Sequence, residues 1–119
     1  LGPIQVRSVC SHHLAPILGR LWVGVLPSDR VIGLSKFVRL ARWVLARPQI
    51  QEEATVQLAD ALESYLNPHG LGVVMRAEHS CMTWRGVQEE GTEMRSSIVR
   101  GELRKSQAAR DEFLRLIGE

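Results

Sequence analysis

The chain is predicted to fold as an α+β protein, with an antiparallel four-stranded sheet, a helix pair between its second and third strands, and a helix at its C-terminus. Three observations predict it. Both ends of the chain carry Val-rich or alternating segments typical of strands, the stretch from 36 to 66 carries apolar residues at helical spacing, and no internal repeat or low-complexity segment breaks the order. Two strands, two helices and two strands in succession place the helix pair over one face of the sheet.

Taken in order, Ile4 to Ser11 is rich in valine and alternates loosely, and Gly19 to Leu26 reads as a second strand through Leu21, Trp22, Val23 and Val25. Between them lies a histidine-bearing turn closed by Pro16. Pro27-Ser28-Asp29-Arg30 is a turn cluster, and Val31-Ile32-Gly33-Leu34 then leads to Ser35, a residue type suited to capping a helix N-terminus. A helix is expected from about Lys36 to Ala46, with Phe37, Leu40, Ala41, Val44 and Leu45 as its apolar stripe and Lys36 and Arg39 opposite. Pro48 ends it. A second helix, roughly Gln51 to Leu66, buries Ala54, Leu58, Ala61, Leu62, Tyr65 and Leu66, opens on Glu52 and Glu53, and is stopped by Asn67-Pro68-His69-Gly70. From Leu71 to Met82 the period is two, so Val73, Met75, Ala77, His79 and Cys81 share one face. A loop with Arg85, Gly86, Glu89, Glu90 and Gly91 leads to a fourth strand near Met94 to Leu103, and Gln107 to Ile117 reads as the closing helix.

With 119 residues, 45% of them hydrophobic and 24% charged, the chain has the composition of one soluble globular domain with a single modest core. No apolar run approaches the roughly 20 residues of a membrane span, and a net charge of +2 gives no general case for nucleic acid. Neither a membrane nor a nucleic acid is an expected partner. Two cysteines without a secretory leader fit a reducing, cytoplasmic setting, where thiols bind metal or react more often than they form a staple. The chain opens at Leu1-Gly2-Pro3 and enters strand-like residues at once, which suggests that upstream sequence has been removed. An apolar sheet with open edges predicts homo-oligomerisation through those edges.

The metal-capable side chains fall into two short clusters, Cys10-Ser11-His12-His13 and His79-Ser80-Cys81, which hold both cysteines and three of the four histidines. Cys10 and His13 with the distant Cys81 supply three ligands for zinc, and three protein ligands with an open fourth position is the pattern of a catalytic site. Two thiolates suit a borderline-soft ion better than they suit magnesium or calcium. Bringing Cys10 and His13 to one ion requires the chain to turn at Ser11-His12. His12 and His79 are then free for proton transfer. A Cys10–Cys81 disulfide, or cysteines in the core with histidines at the surface, are the competing readings. Ser35, Lys36 and Arg39 at a helix start, with Arg85, form a candidate anion site, or else a solvated helix face. Glu52 is either a favourable charge at a helix N-terminus or a carboxylate able to accept the paired N–H donors of a guanine edge.

The motifs Cys10-Ser11-His12-His13-Leu14, Val31-Ile32-Gly33-Leu34-Ser35-Lys36, Arg47-Pro48-Gln49-Ile50-Gln51-Glu52 and His79-Ser80-Cys81-Met82 with Arg85-Gly86-Val87 resemble the GTP cyclohydrolase I family, in order and over nearly the whole chain. The resemblance implies the tunnelling fold, in which subunits join their sheets into a pentameric barrel and two barrels stack as a decamer with active sites between subunits. It implies residues 1–119 as one catalytic domain lacking the family's N-terminal helical segment. It implies zinc on Cys10, His13 and Cys81, acid/base roles for His12 and His79, a guanine anchor at Glu52 with Gln51 beside it, and triphosphate binding by Ser35, Lys36, Arg39 and Arg85. The implied reaction is hydrolysis of GTP at guanine C8, release of formate, Amadori rearrangement of the ribose and closure to 7,8-dihydroneopterin triphosphate. Such a product feeds folate, biopterin or deazapurine synthesis.

The chain departs from the family's usual pattern at several positions. Ser11 stands in place of the usual glutamate, Met94-Arg95-Ser96-Ser97 in place of a Thr-rich stretch, Arg100 at a customarily apolar position and Leu103 in place of a phenylalanine. The last three cluster where a subunit boundary is expected. Two other functions compete with GTP hydrolysis: a zinc enzyme acting on another purine or pteridine, and a non-catalytic subunit that regulates a complete enzyme.

Overall fold

The structure, a computed structural model, describes residues 1–10, 16–30, 32–79 and 92–118, with the backbone alone at 9, 10, 48 and 49. The described elements are β1 (Ile4–Cys10), β2 (Pro16–Leu26), α1 (Leu34–Leu45), β3 (Pro48–Gln49), α2 (Gln51–Leu66), β4 (Gly70–His79), β5 (Met94–Gly101), α3 (Glu102–Lys105) and α4 (Gln107–Ile117). The sheet order is β3-β1-β2-β4-β5. Four strands pair antiparallel as expected, and the fifth, β3, is a two-residue addition parallel to β1, with Val9 opposite Pro48 and Cys10 opposite Gln49. Pro48 ends the preceding helix and also starts this edge strand, where a missing N–H costs no ladder bond.

The helix pair covers one face. Ile4, Val6, Ile17, Leu21, Val23, Leu71, Val73, Met75 and Ala77 point from the sheet toward Phe37, Ala41, Val44 and Leu45 of α1 and Ala54, Leu58, Leu62 and Leu66 of α2, forming one core. Tyr65, expected in the apolar stripe of α2, is instead 59% exposed. That helix ends as its sequence predicts: Asn67 adopts the left-handed conformation (φ 43°) and its N–H bonds the Glu63 carbonyl. The helix-capping role expected of Ser35 goes to Gly33. The Gly33 carbonyl accepts the Lys36 N–H at 2.9 Å, so α1 starts at Leu34, earlier than its sequence suggests, and Ser35 falls inside the first turn.

The opposite face receives α4. An added methyl at Gly24 or Gly72, which pair in register on β2 and β4, would collide with the Phe113 ring at 2.5 and 2.6 Å. Two side-chain-free positions side by side thus make the slot into which Phe113 packs. The fourth strand is shorter than expected because Gly101 takes φ 61°, and Glu102–Lys105 turn as a short helix that buries Leu103 before Ser106 caps α4 by accepting the Ala109 N–H.

Arg100 ties β5 to α2. Its Nη1 donates to Asp60 Oδ1 at 2.7 Å and Glu63 Oε1 at 2.8 Å. Asp60 is exposed and Glu63 partly so, so Arg100→Leu is expected to lower the free energy of urea unfolding by only about 0.5–1 kcal/mol, and by less in about 1 M salt. No helix among the described residues is long and apolar enough to cross a membrane.

Candidate functional site

β1 and β4 run in the same direction on either side of β2, so Cys10 and His79 end their strands at the same end of the sheet. The same end receives the start of α2. Gln49 of β3 pairs with Cys10, and Gln51 and Glu52 follow it directly into the helix. A parallel two-residue pairing therefore brings the Cys10 end of β1 and the helix start together.

Gln51 is the organising side chain of this end. It is 1% exposed and reaches over β4 and β5, where its Nε2 donates to the Met94 carbonyl at 3.1 Å, to Ser96 Oγ at 3.1 Å and, more weakly, to the Met75 carbonyl at 3.4 Å. Its Oε1 lies 2.7 Å from His79 Nε2. Thr55 Oγ1 donates to the Gln51 carbonyl one turn back and lies 2.9 Å from Ser96 Oγ. Every polar atom of this buried cluster thus has a partner, as burial requires. Ser96 of β5 belongs to the network.

His79 is half-buried at the end of β4, opposite Ile17. Burial pushes its imidazole below the ordinary histidine value, and the nearby Glu52 carboxylate opposes that shift. Glu52 itself is exposed on the first turn of α2, beside the buried Gln51. The alternation expected of the third strand holds as far as His79, with Val73, Met75 and Ala77 buried on the face that His79 shares.

Ser35, Lys36 and Arg39 are exposed on the first half of α1. No hydrogen bond or ion pair among the described residues joins them to Gln51, Glu52 or His79. The C-terminal end of α1 leads into β3 and α2, so Ser35 and Lys36 stand away from Gln51 by most of the helix, about 18 Å of rise for its 12 residues. The chain therefore brings together the Cys10 terminus, Gln51, Glu52 and His79, and holds the basic turn of α1 apart. His12, His13, Cys81 and Arg85 lie outside the described residues, as does the side chain of Cys10.

Sequence reasoning missed Ser96 and Thr55. Both are small hydroxyl residues whose importance depends on facing Gln51, and that contact spans 45 positions for Ser96.

Comparison with known proteins agrees with this architecture. A family model described as GTP cyclohydrolase I matches residues 1–118. The chain is 45% identical over 116 residues to the GTP cyclohydrolase 1 of Pseudoalteromonas atlantica and 46% identical over 115 residues to that of Methylococcus capsulatus. These matches cover 98% and 97% of the chain but only 63% and 62% of the relatives' length. Among solved structures, an archaeosine synthase QueF-Like in its apo form superposes with a TM-score of 0.69 at 18% identity, covering 84% of this chain and 90% of the other. A dihydroneopterin aldolase from Burkholderia thailendensis bound to guanine gives 0.55 at 11% identity, covering 84% and 86%. The fold is the tunnelling fold.

Proposed function

Because the chain belongs to the GTP cyclohydrolase I family, we propose that it catalyses the zinc-dependent hydrolysis of GTP to 7,8-dihydroneopterin triphosphate and formate in the cytoplasm, as part of a homo-oligomer. The observation that carries this function is the convergence of the Cys10 terminus, Gln51, Glu52 and His79 at one end of the sheet. Two thiols and an imidazole are a donor set that fits zinc, and Cys81 follows His79 by two residues, a span of at most about 7 Å.

Held by Cys10, His13 and Cys81, zinc would supply Lewis acidity that lowers the pKa of water toward neutrality. The remaining roles belong to side chains. His79 and His12 move protons to and from the ring nitrogen and ribose atoms as C8 is hydrolysed and formate leaves. Glu52, exposed and adjacent to His79, accepts the two N–H donors on the guanine edge and fixes which ring atom faces the histidines. Ser35, Lys36 and Arg39, with Arg85, take the triphosphate through a hydroxyl, cations and the open amides of the first turn of α1.

The separation of α1's basic turn from His79 within one protomer supports a pocket shared between subunits, with the triphosphate end supplied by a neighbour. A decamer of two pentamers is the assembly that meets this requirement in the family. Incubation of zinc-loaded protein with GTP is expected to release formate and, after oxidation, a fluorescent pterin. Absence of both products from an intact, zinc-containing oligomer would rule out this activity and favour either another purine or pteridine substrate or a regulatory subunit.

A further inference from the structure

The hydrogens of the Gln51 network can be assigned by elimination. Backbone carbonyls only accept, so the amide atom of Gln51 that faces Met75 and Met94 must be nitrogen. The oxygen is then the atom that faces His79. The hydroxyls give the same answer. Thr55 spends its proton on the Gln51 carbonyl, so Ser96 must donate to Thr55 and accept from Gln51 Nε2. Rotating the amide by half a turn would set its oxygen against two carbonyls and would leave Ser96 with no donor from Gln51. The amide is locked in one orientation.

From this we infer that Gln51 is a positioning residue that fixes the His79 ring, its amide oxygen accepting from Nε2 and so holding the tautomer that carries its hydrogen there. An amide oxygen can only accept, so a 2.7 Å contact with Nε2 requires the hydrogen to be on that nitrogen. Gln51 was expected to contact substrate beside Glu52, but its amide is engaged with protein at both ends and is 1% exposed. It acts on the reaction through His79. The catalytic consequence rests on the proposed cyclohydrolase function; the tautomer itself does not.

Two measurements keep the two apart. In protein labelled with 15N-histidine and studied by NMR at about pH 8, above the ordinary imidazole range, the His79 signals, assigned by their loss in His79→Ala, are expected to show a protonated Nε2 and an unprotonated Nδ1. A protonated Nδ1 in the unaltered protein would overturn the inference whether or not the protein turns over GTP. Gln51→Met removes the acceptor at similar length and is expected to mix the tautomers. Loss of such an orienting partner is expected to lower kcat about 10–100-fold with KM and zinc content nearly unchanged. Gln51→Glu retains an acceptor for Nε2–H and is expected to restore the single tautomer even where lost donation to Met94 reduces stability. A raised KM with unchanged kcat in Gln51→Met would show that the side chain touches substrate instead, and would also overturn the inference.

Discussion

Gly19→Ala is expected to leave little folded protein, a loss of at least about 3 kcal/mol from a domain whose total stability is of the order of 5–15 kcal/mol. The added methyl would overlap the Arg76 carbonyl oxygen and lie 2.5 Å from the Ala77 Cα. These are backbone atoms in the middle of the sheet, so no side-chain rotation relieves the contact. Gly19 pairs with Ala77 in a β2–β4 ladder that runs unbroken from Ile17 opposite His79 to Leu26 opposite Gly70. Separating the strands there would break central ladder bonds and part Leu21 and Val23 from Val73 and Met75, the floor on which the helix pair rests. It would also move the end of β4 that holds His79. Gly33→Ala is the control, because nothing lies within 4 Å of the added methyl, and its unfolding free energy should stay within about 1 kcal/mol of the parent. Urea denaturation compares the two directly. A Gly19→Ala protein that melts within about 2 °C of the parent would mean that β2 and β4 are not in this contact.

Features carried by local periodicity were legible in the sequence. The stripe of α1, that of α2 apart from Tyr65, the stop at Asn67, and the burial of Val73, Met75 and Ala77 on the face that leads to His79 follow from spacing within one element. Features that depend on register between elements were not. Gly24 and Gly72 are 48 positions apart, and only their pairing turns two unremarked glycines into a slot for Phe113 and sends α4 to the second face of the sheet. The short β3 has no period at all, and Pro48 reads naturally as a terminator. Gln51 shows the same division at the candidate site. Its place beside Glu52 was visible and suggested a polar contact with a ligand, whereas its burial was not, because its partners Met75, Met94 and Ser96 come from two later strands. Glu52, one residue on, is exposed. The structure thus separates two adjacent polar residues that the sequence left equivalent.

The two residues of the second metal-capable cluster should separate in the same way when each is removed. His79→Ala is expected to retain zinc and lose about 10²–10⁴-fold in turnover, the usual contribution of a positioned acid/base group. The fold should tolerate it, because His79 is half-buried at the end of its strand and the hydrogen bond its imidazole makes among the described residues goes to Gln51, whose amide remains anchored on Met94 and Ser96. Cys81→Ala should instead lose zinc, since it removes one of two thiolates from a three-residue ligand set and leaves no softer donor in the cluster to replace it. Zinc content by atomic emission and formate release from GTP, measured on the same preparations, distinguish the roles. Full zinc in both variants would remove Cys81 from the ligand set. Loss of zinc from both would add His79 to it, and a ring nitrogen committed to metal could not also serve as the proton acceptor. Only zinc retained without turnover in the first variant, and zinc lost in the second, keeps the imidazole free for chemistry while the thiolate holds the ion.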